Sequence, residues 1–436
     1  MKQIRAGLLG FGTIGTGVVK VFQNNAELIK ARLGADLILD KIADLDITTD
    51  RGVTLEPGLL TTDADDVLVN PDIDIVIELI GGYEPARTFV LKAIENGKHI
   101  VTANKALLAL HGDEIFAAAA KHRVEVMFEA SVGGGIPVIS SVKENLCANN
   151  FHSVFGILNG TCNYILTRMT NEGAAFADIL QVAQELGYAE ADPTFDIEGV
   201  DTAHKLALMI ALCFGTKVDF DDVYTEGISN ITPLDIEYAK QFGYKIKLLA
   251  IGKADNGKIE ARVHPTMVPQ HYPLADVDGV FNAVRLVGDF VGPVMLYGHG
   301  AGMEATASAV MGDVMSIARG IAAGAGQRTP PMAYCTEAIR NVAVKPMEEI
   351  STQYYLRVGV LDQPGVLSKI SGILGDHGIS IASMIQPDRV VGGATPIVLM
   401  THDATEGEVR KAIDKIDQLD VVSEKTHFIR IESAMD

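Results

Sequence analysis

The sequence predicts an α/β protein: a doubly wound, mostly parallel sheet, then a mixed α+β domain, then a small ferredoxin-like module. Three observations carry this. Over roughly the first 130 residues, short apolar runs alternate with amphipathic segments, the pattern of strand–helix–strand units. A glycine-rich turn, Gly10-Phe-Gly12-Thr-Ile-Gly15, joins the first apolar run to the first amphipathic segment. The last stretch reads as strand, helix, strand, strand, helix, strand.

The elements follow in order. Ile4–Leu9, Leu37–Ala43, Ile73–Leu79, His99–Thr102 and Val124–Phe128 are near-continuous apolar runs, as buried parallel strands require. Thr13–Asn24, Pro85–Asn96 and Asp113–His122 read as the helices between them. In the middle region, helices are expected at Pro137–Leu146, Ala177–Leu186 and Asp201–Phe214. Strands are expected there at Ser153–Leu158, Tyr244–Gly252 and Glu260–Val268. A Gly/Ala-rich helix, roughly Thr306–Gly324, follows. Thr329-Pro-Pro331 and Lys345-Pro-Met-Glu-Glu-Ile350 mark a linker, which suggests a separable module beyond it. That module runs Tyr354–Leu361 (strand), Gly365–Gly375 (helix), Ile379–Gln386 and Pro396–Thr401 (strands), Glu406–Gln418 (helix) and Thr426–Ile431 (strand).

A chain of 436 residues is too long for one simple core, so two or three domains are expected. The net charge of −20 argues against nucleic acid or an anionic membrane as partner. No apolar run reaches membrane-spanning length, and the glycines of Met1–Gly10 favour a strand and turn over a signal peptide. The four cysteines, Cys147, Cys162, Cys213 and Cys335, form no C-x-x-C pair and read as reduced thiols of a cytoplasmic protein.

The chemistry-bearing segments come next. In its strand–turn–helix context, Gly10–Gly15 permits close approach of a pyrophosphate to a helix N-terminus; the bland alternative is a structural turn. Asp44 ends the second strand and suits a ribose hydroxyl, favouring NAD, whereas Lys41 and Arg51 suit the 2′-phosphate of NADP. His99-Ile-Val-Thr102-Ala-Asn-Lys105 leads from a strand into a helix. That puts Lys105 at the carboxyl end of the sheet, where ligands bind, although a solvated helix-start lysine is the commoner case. Glu129-Ala-Ser-Val132-Gly-Gly134-Gly-Ile136-Pro137 combines a carboxylate with glycines that free backbone carbonyls. It reads as a cation loop of low ligand charge or as a glycine hinge before a helix.

The most specific stretch is Gly187-Tyr-Ala-Glu190-Ala-Asp192-Pro-Thr-Phe-Asp196-Ile-Glu198-Gly-Val-Asp201-Thr-Ala-His-Lys205. Its first part, with Pro and Gly, reads as a loop. Asp201 and Lys205 stand four residues apart and so share a helix face. Lys205 precedes the apolar run Leu206–Phe214, where a polar loop meets a buried helix, a setting for a proton donor. A surface Asp–Lys pair is the plain alternative, and the carboxylates crowded beside it weigh against that.

This stretch, with Thr-Ala-Asn-Lys105 and Asn159-Gly-Thr-Cys162-Asn163-Tyr-Ile, resembles homoserine dehydrogenases over nearly the whole chain. Val358-Gly-Val-Leu-Asp362-Gln-Pro-Gly365 resembles an ACT domain, a module that binds amino acids, usually at a dimer interface. The resemblance implies NAD(P)-dependent, reversible conversion of L-aspartate 4-semialdehyde to L-homoserine in threonine, methionine and isoleucine biosynthesis. It implies Lys205 as proton donor, Lys105 as electrostatic assistant, and Glu190 and Asp201 as substrate-binding groups. Cofactor contacts are implied at Phe11, Gly12, Thr13, Ile14, Lys105, Gly187 and Gly302. A sodium site is implied at Glu129, Val132, Gly134 and Ile136. Family members often carry arginine where Asp44 stands, a departure that keeps NAD open alongside NADP.

The expected organisation is a Rossmann-type domain at 1–134, completed by a helix returning within about 306–345, and a substrate and dimerisation domain at 135–305. A linker at 346–350 and an ACT domain at 351–436 complete it. The partners expected are the small-molecule substrate, an amino-acid effector such as L-threonine, and a second copy of the chain in a homodimer or homotetramer. No aspartokinase-like segment precedes the nucleotide fold, so the chain reads as monofunctional. Two rivals follow from the same residues. A phosphorylating semialdehyde dehydrogenase needs a catalytic Cys–His pair, for which the sequence offers no good candidate, and no His stands near Cys162 in the chain. A non-catalytic amino-acid sensor would need neither lysine.

Overall fold

The computed structural model describes residues 2–325, 328–361, 363–386 and 394–435. They form two compact units. The first comprises Met1–Val154, His204–Phe220 and Phe281–Asn341; the second comprises Phe155–Ala203, Asp221–Val280 and Val342–Asp436. Among the described residues, no helix is long and apolar enough to cross a membrane.

The first unit holds a six-stranded parallel sheet of β1 (Gln3–Leu9), β2 (Asp36–Ala43), β3 (Leu60–Thr61), β4 (Ile75–Glu78), β5 (His99–Thr102) and β6 (Val126–Met127). Its order is β3-β2-β1-β4-β5-β6. The chain builds outward from β1 in one direction and then returns to β4 on the other side. That reversal opens a crevice at the carboxyl ends of β1 and β4, where such sheets bind ligands. Ile4, Leu8, Ile42, Ile75, Ile77 and Val101 fill the core together with Val310, Val314 and Ile317 of the helix Met303–Ala323. The late Gly/Ala-rich helix packs in this core, with Met303 and Ala307 close against Gly17 of the helix Thr13–Asn24.

Two helices depart from expectation. Lys105–His122 begins eight residues earlier than Asp113, because the Asn104 side chain caps it by accepting the Leu107 N–H at 3.1 Å. The helix expected over Pro137–Leu146 is one short α-turn, Val138–Ser140, running into a π-turn, Ser141–Asn145.

The second unit contains β7 (Tyr244–Asp255), β8 (Lys258–Pro269), β9 (Ser351–Leu361), β10 (Ile381–Ile385), β11 (Ala394–Thr401) and β12 (His427–Ile431), in the order β7-β8-β12-β9-β11-β10. The last four strands, with the helices Val366–Asp376 and Glu406–Ile416, give the expected βαββαβ module around Tyr354, Leu356, Val358, Ile370, Leu399 and Ile413.

This module is not a detachable appendage, contrary to the reading of the proline linker. β8 and β12 pair in parallel at Thr266–Arg430 and Met267–Ile431. Residues 343–345 also pair with Ile259, through Ile259 N–H to Ala343 O (3.0 Å) and Lys345 N–H to Ile259 O (2.8 Å). Buried ion pairs cross the same seam: Arg357 to Asp235 (2.7 Å) and Arg262 to Glu432 (2.8 Å). Composition marked the linker correctly as Pro-rich but carried no information about the long-range strand pairing that anchors it.

Candidate active site

The dinucleotide turn lies at the carboxyl end of β1, with Gly12 as the cap of Thr13–Asn24. Gly10 adopts φ +93°, and a side chain on Gly15 would run into the Gly10 carbonyl, so only glycine fits. At Gly12 that space is open. The first amides of the helix have no acceptor within it, so the turn offers N–H donors, a positive dipole end and room for a pyrophosphate. The Asp44 carboxylate, at the end of β2, accepts the Phe11 and Asp46 N–H groups. The Arg51 guanidinium lies 4.8 Å over the Phe11 ring and within 3.8 Å of Asp44. A carboxylate and a guanidinium thus stand together at the end of β2, beside the glycine turn. Lys41, the other candidate for a 2′-phosphate, donates instead to the Gly58 carbonyl at 2.5 Å.

A buried network that sequence reasoning missed fixes the start of the Lys105 helix. Glu78, fully buried at the end of β4, accepts Thr102 Oγ1–H at 2.6 Å and the Ile80 N–H at 2.8 Å. Thr102 Oγ1 accepts the Asn104 N–H (2.9 Å), and Asn104 Nδ2 donates to Gly82 O (2.7 Å). Lys105 therefore follows directly from an immobilised strand end. A glutamate closing an apolar strand was the available sequence signal.

In the glycine loop the Glu129 carboxylate is already engaged. Its Oε1 accepts the Ile139 N–H and its Oε2 the Ser140 N–H, both at 2.7 Å, capping the short helix that follows. Burial pushes Glu129 up, and those hydrogen bonds oppose the shift. Val132 and Gly134 are buried, and their carbonyl oxygens accept no hydrogen bond among the described residues. Gly134 adopts φ +55°, and a side chain there would meet the Gly300 carbonyl. Unsatisfied buried carbonyls in a glycine-shaped loop fit a weakly charged oxygen-liganded cation. The Ile136 carbonyl accepts the Val138 N–H at 2.8 Å and the Glu129 carbonyl the Val132 N–H at 3.4 Å, so Val132 and Gly134 offer the free oxygens of the loop among the described residues. Asp313 and Lys143 are buried behind the loop.

In the second unit Asn159 gathers two carboxylates. Its Nδ2 donates to Asp196 Oδ1 (2.7 Å) and Asp201 Oδ2 (3.0 Å), while its Oδ1 caps the helix Gly160–Glu172 at the Cys162 N–H. Thr161 Oγ1 donates to the Tyr188 carbonyl at 2.7 Å. The segment before Asp201 is a loop, as expected, interrupted by one helical turn at Thr194–Ile197. Asp201 and Lys205 stand one turn apart near the start of Val200–Phe214 and are only 5% and 9% exposed, so the surface-pair alternative fails. Glu190 and Gly187 lie on the exposed stretch after the helix Phe176–Glu185, Gly187 with φ +76°. Gly302, with φ +109°, caps Met303–Ala323. Cys162 is buried with its Sγ at 3.2 Å from Asp196 O, a packing position.

In the C-terminal module Gly365, with φ +89°, caps the first helix, whose first amide, the Val366 N–H, donates to the Gln363 carbonyl at 3.4 Å. Asp362 lies outside the described residues.

Comparison with known proteins matches this division of labour. Residues 10–129 match the family described as homoserine dehydrogenase, NAD binding domain; residues 137–315 match homoserine dehydrogenase; residues 354–421 match the ACT domain. Homoserine dehydrogenases of Neisseria gonorrhoeae and Pseudomonas aeruginosa are 46% and 45% identical, over 100% and 99% of both chains respectively. A homoserine dehydrogenase crystal structure from Thiobacillus denitrificans is 48% identical with a TM-score of 0.93, covering 99% of each chain. One from S. aureus is 33% identical with a TM-score of 0.78, covering 100% of each. With an NAD-binding fold, a substrate-domain match and an ACT module spanning its length, the chain belongs to the homoserine dehydrogenase family of oxidoreductases.

Proposed function

We propose that this protein interconverts L-aspartate 4-semialdehyde and L-homoserine with NAD or NADP, in threonine, methionine and isoleucine biosynthesis. One observation carries the residue-level reading: Lys205 and Asp201 are buried one helical turn apart, Asp201 held by Asn159. When bound, the reduced nicotinamide supplies a hydride to the aldehyde carbon. Lys205 gives a proton to the oxygen that becomes the hydroxyl, and Lys105 stabilises negative charge developing there. Asp201 and Glu190 hold the substrate's hydroxyl and ammonium ends. Phe11, Gly12, Thr13, Ile14, Gly187 and Gly302 line the cofactor, and the backbone of Glu129, Val132, Gly134 and Ile136 holds a sodium ion. The protein works in the cytoplasm as a homodimer or homotetramer, with all four cysteines as free thiols. The test is a nicotinamide-linked assay with homoserine against other amino alcohols and 2-hydroxy acids. Equal turnover of an unrelated alcohol contradicts the assignment.

Asp44 tilts the choice towards NAD, because its carboxylate repels a 2′-phosphate, and Arg51 beside it keeps NADP admissible. Asp44→Ala is expected to raise the NADP-to-NAD ratio of kcat/KM by about 10-fold, roughly 1.4 kcal/mol. An unchanged ratio removes Asp44 from cofactor choice.

The ACT module is proposed to bind L-threonine at a site shared by two chains and so inhibit the enzyme. Coupling of ordinary size, about 1–3 kcal/mol, shifts apparent substrate affinity about 5–150-fold. Gly365→Asp places a negative charge where the effector carboxylate belongs, at a positive-φ position with open space around it, where aspartate is less strained than most side chains. Threonine titration of the full-length chain should show inhibition that this variant loses. Equal inhibition of both proteins places threonine elsewhere.

A further inference from the structure

Glu129 is tied twice, and the second tie has no role in the reaction so far described. Its carboxylate caps the turn at Ile139 and Ser140, and its backbone N–H donates to Asp313 Oδ2 at 2.8 Å. Asp313 stands in the middle of the helix Met303–Ala323 and is 4% exposed. It is 184 residues from Glu129 in sequence, so the contact spans the unit's core. Lys143, 7% exposed and on the π-turn that continues from the capped helix, is buried near the same carboxyl groups, burial pushing its pKa down against their attraction; its Nζ lies 5.6 Å from the Phe128 ring centroid. A buried carboxyl group costs several kcal/mol to desolvate, a cost that an apolar residue here would not carry. Glu129 opens the loop whose Val132 and Gly134 carbonyls accept no hydrogen bond among the described residues, and the other flank of the loop is fixed by Gly135 N–H to His299 O at 3.1 Å.

We infer that Asp313 is a positioning residue that holds the amide of Glu129, and through it the carbonyls of the 129–136 loop, in the geometry that binds a monovalent cation. The inference rests on the cation reading of that loop. Asp313 touches neither the ion nor the substrate. It acts as the outer partners of metal ligands do, whose removal ordinarily costs about 10–100-fold in metal affinity or activity. Asparagine keeps an acceptor oxygen for the Glu129 N–H, whereas leucine fills the space without one.

The test compares wild type, Asp313→Asn and Asp313→Leu. For each, the NaCl concentration for half-maximal activity is measured at constant ionic strength against choline chloride. NADH and NADPH binding is titrated by nucleotide fluorescence without substrate, with and without NaCl. Asp313→Leu is expected to need about 10–100-fold more sodium. It should also lose the sodium effect on nucleotide binding, and Asp313→Asn should restore most of both. Equal sodium requirements in the three proteins overturn the inference while leaving the cation loop intact. A wild type indifferent to sodium and potassium in both measurements overturns the cation loop itself. Hydrogen–deuterium exchange on wild type keeps the proposal decidable if the leucine variant does not fold. Sodium should slow exchange both at 129–136 and around Asp313, and slowing confined to the loop overturns the link.

Discussion

Lys205→Met is expected to lower kcat by about 10²–10⁴-fold, the weight of a general acid–base group, while nucleotide affinity stays within a few-fold of wild type. Methionine preserves the length and apolar stem of the side chain, so the helix Val200–Phe214 should keep its packing. What is lost is the proton destined for the substrate oxygen. Lys205 is nearly buried beside an aspartate that Asn159 holds in place. A solvated lysine could be replaced by water as proton source, and one held in this setting is replaced poorly. Steady-state kinetics with a parallel nucleotide titration separates the cases. A near-normal kcat removes Lys205 from the chemistry, and a kcat loss matched by lost nucleotide binding makes its role structural.

Truncation after Ile350 is expected to yield no soluble, cooperatively folded protein. Removing the module takes Arg357 and the Tyr355 hydroxyl from Asp235, and Glu432 from Arg262. Both remaining groups are almost wholly buried; Arg262 keeps Glu260 at 3.3 Å, whereas Asp235 loses its arginine. Stranding one partner of a buried pair costs roughly 3–5 kcal/mol, against a typical total stability of about 5–15 kcal/mol. The cut also bares the edge of β8 at Thr266–Met267 and opens the apolar surface beneath β12. Soluble yield, near-ultraviolet circular dichroism and a thermal melt decide it. A soluble truncation that melts cooperatively and turns over substrate restores the separable-module reading.

That reversal shows what was legible in the sequence. The parallel strands and the Thr13–Asn24 helix could be read directly, because apolar runs and a glycine turn are local signals. The Asp201–Lys205 spacing fixed a shared helix face by geometry alone. The Asn159 side chain, by contrast, reaches Asp196 and Asp201 across 37 and 42 residues, and Asp313 reaches Glu129 across 184. No periodicity encodes such contacts. The Glu129 carboxylate looked like a ligand because glutamate before glycines suits one, yet a helix start only ten residues on competes for the same oxygens. The Lys105 helix was read too short because its first two turns, Lys105–Gly112, are mostly apolar and lack a strong amphipathic stripe.

On the proposed function, a hydride passes between a nicotinamide and carbon 4 of a four-carbon amino acid. The direct measurement is label transfer: enzyme, L-aspartate 4-semialdehyde and reduced NAD or NADP carrying deuterium at the transferable position, with the amino-acid product analysed by mass spectrometry. The expected product is L-homoserine heavier by one deuterium, formed in step with nucleotide oxidation and suppressed in Lys205→Met. Nucleotide oxidation without labelled homoserine, or no turnover with either nucleotide, would contradict it.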